Sequence, residues 1–137
     1  MCIRDRYDAA MIKENHIAWT DNLKNAVQKI RLNSPFTTHI IIEAENIEQA
    51  KEAVLAGADS VLLDELSPET IKKSVQELRD LSISSLKKEV NKNLIIEVSG
   101  INPAEISKYL IKGIDLISTS SSITKSDWID LSMRYIN

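Results

Sequence analysis

Apolar residues along this chain fall in short runs that alternate with stretches of helical period. His39–Ala44 and Ser60–Leu63 are two such runs, each stopping at an acid, Glu43 or Asp64. Between them Ile47, Ala50, Val54 and Leu55 recur at the spacing of one helix face. Short β-branched runs alternating with helices predict strand–helix–strand units in a parallel sheet. The same reading makes Tyr7–Ile12 a first strand and Leu94–Val98 a fourth, with a fifth ending at Ile117. Leu23, Val27 and Ile30 mark a helix within Ile17–Leu32, and Ile71, Val75 and Leu78 mark another.

Boundary residues sharpen the pattern. Thr20 or Asp21 is expected to cap the first of these helices, and Asn46 with Gln49 makes a capping-box pair for the next. Gly57 stands where a helix end calls for a left-handed residue. Ser67-Pro68-Glu69 and Asn102-Pro103-Ala104-Glu105 each read as a helix start, with proline in the first turn and an acid facing the dipole. Leu81–Asn93 is expected to fray into a loop, and Trp128–Tyr135 to finish the chain partly extended. Gly113-Ile114-Asp115-Leu116-Ile117 echoes Gly57-Ala58-Asp59-Ser60-Val61, so a βα repeat of uneven spacing is expected. The fold class is therefore α/β, a partial β/α barrel. Residues 1–6 read as an opening foreign to the fold, and residues 7–137 as one barrel portion.

Composition removes several function classes. At 137 residues the chain is a single domain, short for a closed β/α barrel of about 250. A net charge of -3 offers no general attraction to nucleic acid or to an anionic membrane. No apolar run approaches the roughly 20 residues of a membrane span. The single cysteine excludes an intrachain disulfide and suits a cytoplasmic setting. His16 and His39 lie too far apart to suggest zinc, and the Lys72-Lys73 and Lys87-Lys88 pairs read as solvated faces.

In parallel strands the carboxyl ends share one edge, where βα proteins place their chemistry. Lys13, Glu43, Asp64, Ser99-Gly100 and the hydroxyl-rich run Ser118–Ser122 all fall there. One cation, two carboxylates and two turns rich in hydroxyls and backbone N–H groups suit a phosphorylated, polyhydroxylated ligand. Each residue also has a plain reading: Lys13 as a solvated lysine, the acids as turn residues, Ser99-Gly100 as a tight turn, His16 as structural.

The segments KENHI (Lys13–Ile17), IIEAENIEQAKEAVLAGAD (Ile41–Asp59), VLLDELSPE (Val61–Glu69), EVSG (Glu97–Gly100) and the tail from Ile114 to Arg134 together resemble quinolinate phosphoribosyltransferase. The resemblance implies transfer of phosphoribosyl from phosphoribosyl pyrophosphate to quinolinate with decarboxylation, giving nicotinate mononucleotide, with magnesium as cofactor and a homodimer as the full-length enzyme. It implies that Lys13 contacts substrate, that Glu43 and Asp64 line the phosphoribosyl site, and that Ser99, Gly100 and Ser120 bind the sugar phosphate. It names no metal ligand. Three positions depart from the family pattern: Ile41 stands for a glutamate, Glu65 for an asparagine, and the turn after Ser99 is one residue short. An N-terminal domain and an arginine- and histidine-rich set are expected upstream, so the chain reads as a C-terminal fragment inactive alone. The alternatives are a molybdenum-operon paralogue with another acceptor, or a barrel piece with no catalysis.

Overall fold

A computed structural model of the chain describes residues 9–18, 22–85 and 93–125. Five parallel strands form one sheet in the order β1-β2-β3-β4-β5. They are β1 (Ala9–Ile12), β2 (His39–Ala44), β3 (Ser60–Asp64), β4 (Ile95–Ser99) and β5 (Leu116–Ile117). Each pairs with the next in sequence, as consecutive staves of a β/α barrel do. The helices are α1 (Glu14–Ala18), α2 (Leu23–Asn33), α3 (Ile47–Ala56), α4 (Pro68–Ser85) and a terminal turn α5 (Ser121–Thr124), with a 3-10 segment over Pro103–Tyr109.

One face of the sheet makes the core. Ile40, Ile42, Ala44, Val61, Leu63, Ile96 and Val98 alternate along the strands and pack with Ala50, Ala53 and Val54 of α3 and Ile71, Val75 and Leu78 of α4. Fully burying one such side chain contributes about 1.5–3 kcal/mol. The opposite face of β2, β3 and β4 carries Ile41, Glu43, Leu62, Asp64, Glu97 and Ser99, of which Ile41, Leu62 and Glu97 are buried. Burial on both faces explains why the central strands read as near-continuous apolar runs.

Most predicted boundaries hold. Asn46 accepts the Gln49 N–H at 2.9 Å, while the Gln49 side chain reaches back to the Glu45 N–H rather than to that of Asn46. Gly57 ends α3 with φ +90°, and Ser67 caps α4 through the Thr70 N–H. Other expectations need correction. The cap of α2 is Asn22, whose side chain accepts from the Asn25 N–H, and Glu14–Ala18 forms a separate short helix. The start at Asn102 leads into a 3-10 segment with no buried residue, not an α-helix. Where α3 buries Ala50 and Ala53, the equivalent places in this segment hold Ile106 and Tyr109, which pack against the core only partly buried. β5 is only two residues long. Tyr7, Thr20, Asp21 and the stretch Trp128–Tyr135 lie outside the described residues.

The expected repeat is real and regular. Asn46 and Asn102, Gly57 and Gly113, and Asp59 and Asp115 are each 56 positions apart. Asp59 Oδ2 accepts the Ile40 N–H at 2.7 Å, and its own N–H donates to the Ile40 carbonyl at 2.9 Å. Asp115 treats Ile96 identically, with the same two distances. Each aspartate also meets an arginine from the helix before the clamped strand, Arg31 of α2 or Arg79 of α4. Each arginine donates as well to the carbonyl two residues ahead of the clamped isoleucine, Thr38 or Leu94. The Asp59 side chain is 2% exposed, so its removal takes the carboxylate from the half-buried Arg31 and leaves the buried Ile40 N–H without its acceptor. Asp59→Ala should therefore lower unfolding free energy by about 3 kcal/mol, read from the urea midpoint at unchanged slope. A midpoint equal to that of the unsubstituted chain would show that the clamp does not hold β2 to β3.

Candidate functional site at the carboxyl edge of the sheet

Every predicted site residue lies at the carboxyl edge. Lys13 follows β1, Glu43 is the penultimate residue of β2, and Asp64 and Ser99 end β3 and β4. Gly100 follows at once, and Ser120 precedes α5 on the far side of β5. Strand register explains the pairing: Met11 stands beside Ile41, so Lys13 and Glu43 lie level on adjacent strands. Asp64 is registered directly against Ser99.

Two clusters result. In the first, Lys13 Nζ donates to Glu43 Oε2 at 2.7 Å, with the lysine side chain 42% exposed and the glutamate 11%. The carboxylate is thus held toward the interior while the ammonium meets solvent. In the second, the Ser99 hydroxyl donates to Asp64 Oδ1, and the Glu65 N–H donates to the Ser99 carbonyl at 3.3 Å. Gly100 adopts φ +75°, and a Cβ placed there would lie 2.7 Å from Glu65 Cγ and 3.1 Å from the Glu65 nitrogen. Glycine is required on both counts. Glu65 itself has φ +52°, a left-handed conformation uncommon for a residue of its kind. Glu65 and Gly100 thus stand side by side, both in left-handed backbone.

Ser120 has an exposed side chain that makes no cap bond; its carbonyl instead accepts from the Ile123 and Thr124 N–H groups. Its neighbour Thr119 does the joining: the Thr119 hydroxyl donates to the Ile101 carbonyl at 2.7 Å and accepts from the Ser121 N–H. The end of β5 is thereby tied to the turn that follows Ser99-Gly100. His16 accepts the Lys13 N–H through Nδ1 at 3.1 Å, which closes the turn into α1.

Sequence reasoning passed over Glu97. It is 2% exposed on the sheet face of Glu43, with Leu62 between them in the register Glu43↔Leu62↔Glu97. An acid inside the apolar run Leu94–Val98 was the available signal. Among the described residues no three His, Cys, Asp or Glu side chains converge as a metal centre. No helix among them is long and apolar enough to cross a membrane.

Residues 5–134 match the family model described as quinolinate phosphoribosyl transferase, C-terminal domain. A probable nicotinate-nucleotide pyrophosphorylase [carboxylating] from Methanothermobacter thermautotrophicus is 39% identical over 128 residues, covering 93% of this chain and 43% of that protein. A nicotinate-nucleotide pyrophosphorylase [carboxylating] from Dictyostelium discoideum is 33% identical over 125 residues, covering 90% and 39%. Among solved structures, NadC from Streptococcus pyogenes superposes with a TM-score of 0.71 at 30% identity, over 94% of this chain and 41% of that one. The chain thus spans about two-fifths of the length of these relatives.

The Gly100 geometry can be tested directly. Gly100→Ala should destabilise the chain by about 1–2 kcal/mol, the cost of a Cβ in the left-handed region. Adding Glu65→Ala removes the nearer clash and should return part of that loss in a double-mutant cycle. Additive effects would show that Gly100 and Glu65 do not meet.

Proposed function

The chain belongs to the quinolinate phosphoribosyl transferase family, as its C-terminal domain, and on that premise we propose that it supplies the ribose- and phosphate-facing part of that enzyme's active site. The reaction joins the quinolinate ring nitrogen to the anomeric carbon of phosphoribosyl pyrophosphate as pyrophosphate departs. The ring carbon then loses its carboxyl group as carbon dioxide and takes up a proton, leaving nicotinate mononucleotide. The observation that carries the reading is the meeting of Lys13 with Glu43 and of Asp64 with Ser99 at one edge of a parallel sheet.

Departure of pyrophosphate leaves positive charge on the sugar, which a fixed carboxylate stabilises more in the transition state than in the ground state. Glu43 and Asp64 are held rather than free to rotate, one by an ammonium and one by a hydroxyl. Their oxygens also accept from ribose hydroxyls. Ser99, the open backbone of Gly100 and Ser120 offer hydroxyl and N–H donors to a phosphate. Lys13 acts as a point charge toward a substrate anion. Oxygen donors such as Glu43 and Asp64 fit magnesium, which takes one or two carboxylates together with substrate phosphates. When bound it offsets the charge of the leaving pyrophosphate. The proposal extends to a cytoplasmic protein and to a homodimer as the whole enzyme, in keeping with the family resemblance.

Lys13 cannot by itself offset a pyridine dicarboxylate and a phosphorylated sugar diphosphate. The 137-residue chain should therefore bind phosphoribosyl pyrophosphate with magnesium in calorimetry, yet form no nicotinate mononucleotide when quinolinate is added. Turnover by the chain alone would refute the division of the site.

Asp64→Asn separates a working carboxylate from a turn residue, because Ser67 already caps α4. In a chain carrying the rest of the site it should keep its melting temperature and lose turnover by about 2.7–4 kcal/mol, the scale of one electrostatic stabiliser. Normal turnover with an unchanged melt would remove Asp64 from the chemistry.

A further inference from the structure

The two aspartate clamps are bonded alike but work in different company. Between β2 and β3 the register runs through four pairs, from Ile41↔Ser60 to Ala44↔Leu63, and α3 covers their core face. Packing alone opposes a slip there, since one residue of shift would exchange every buried side chain for an outward one. Between β4 and β5 there are two pairs, Glu97↔Leu116 and Val98↔Ile117, and Leu116 is 46% exposed. The element that corresponds to α3 is the 3-10 segment, which buries none of its residues. The packing that records where β5 lies along β4 is thinner: Ile117 and its neighbours Ile106, Ile111 and Ile114 meet the core only partly buried. The rest is done by the backbone ladder, extended beyond the strand by the Ser118 N–H to the Val98 carbonyl, by the Thr119 hydroxyl on the Ile101 carbonyl, and by the clamp at Asp115.

The clamp is well made for that task. The Asp115 carboxylate takes the Ile96 N–H while Arg79 holds the same oxygen. The guanidinium also spans the Gly113 and Leu94 carbonyls, the two chain segments that must stay level. Five residues on from Asp115 stands Ser120, preceded by Thr119 with its bond to the Ile101 carbonyl. A slip of one residue would set a different side chain against that carbonyl and turn the hydroxyl cluster away from Ser99-Gly100. At 42% exposure for Asp115 and 22% for Arg79, the ion pair is too open to be a main source of stability.

We propose that Asp115, held by Arg79, is a positioning residue for phosphate binding at the opposite edge of the sheet, setting the register that brings Thr119 and Ser120 beside the Ser99-Gly100 turn. This rests on the phosphate-binding reading of that turn given above. Asp59, its counterpart in the first unit, serves stability and not ligand binding.

The test uses the 137-residue chain labelled with 15N and titrated with ribose 5-phosphate. Amide shifts at Ser99–Ile101 and Thr119–Ser121 report binding, and hydrogen exchange at the Ser118 N–H reports the register. Asp115→Asn should weaken ribose 5-phosphate binding by about tenfold or more, the scale of a small misplacement. It should also speed Ser118 exchange, and shift the melting temperature by no more than about 4 °C. Asp59→Asn should lower the melting temperature further while leaving the dissociation constant within about twofold. Arg79→Lys, which keeps the charge but not the fork, should fall between the two Asp115 forms. Unchanged affinity and unchanged Ser118 protection in Asp115→Asn would overturn the proposal. So would its global unfolding, which would make Asp115 a stability residue like Asp59. If the unsubstituted chain gives no saturable shifts, the phosphate reading of the turn fails, and Ser118 exchange still decides whether Asp115 sets the register.

Discussion

A parallel strand is told its place along its neighbour by backbone hydrogen bonds and by which side chains must be buried, and the mouth of this sheet depends on that placement. Glu43 meets Lys13, and Asp64 meets Ser99, because their strands are level to the residue. At the other edge Asp59 and Asp115 each hold both polar groups of a facing isoleucine. Such an aspartate adds a second acceptor beside the backbone ladder, and its arginine ties in the preceding helix. The candidate site and the aspartate clamps thus lie at opposite ends of the same strands.

The repeat gives the mouth its division of character. At equal places in the two units stand Glu43 and Ser99, and Asp64 and Ser120. The first unit presents carboxylates, suited to ribose hydroxyls and developing positive charge. The second presents hydroxyls and an open glycine turn, suited to an anion. Ser99 and Asp64 bridge the two through one hydrogen bond. Ile41 and Glu97 correspond in the same way, so the place of the buried acid in the second unit is held by isoleucine in the first.

Much of this was legible in the sequence, for local reasons. β2, α3 and β3 were fixed by strand-length apolar runs, by Asn46 and by Gly57, each of which acts within a few residues of itself. The edge that gathers Lys13, Glu43, Asp64, Ser99 and Ser120 followed from parallelism alone. What escaped depended on distance in the chain. Nothing near Arg31 or Arg79 announces a carboxylate 28 or 36 residues away. The 3-10 segment escaped because capping signals describe how a helix starts and not which helix type follows. The left-handed Glu65 escaped because no propensity favours glutamate there; only the turn at Gly100 makes room for it.

The arginine clamps have a consequence for how this architecture can vary. From Arg31 to the carbonyl it holds at Thr38 the chain runs 7 residues, and from Arg79 to the equivalent carbonyl at Leu94 it runs 15. The same clamp closes over both, because the guanidinium reads where the strand begins and is indifferent to the path that led there. Insertions and deletions between helix and strand are thereby absorbed on the edge away from the mouth, and their effect on the ligand side is cancelled before β2 or β4 begins. In an alignment of such units, gaps should gather in these helix-to-strand connections, while the spans from clamped isoleucine to aspartate keep one length.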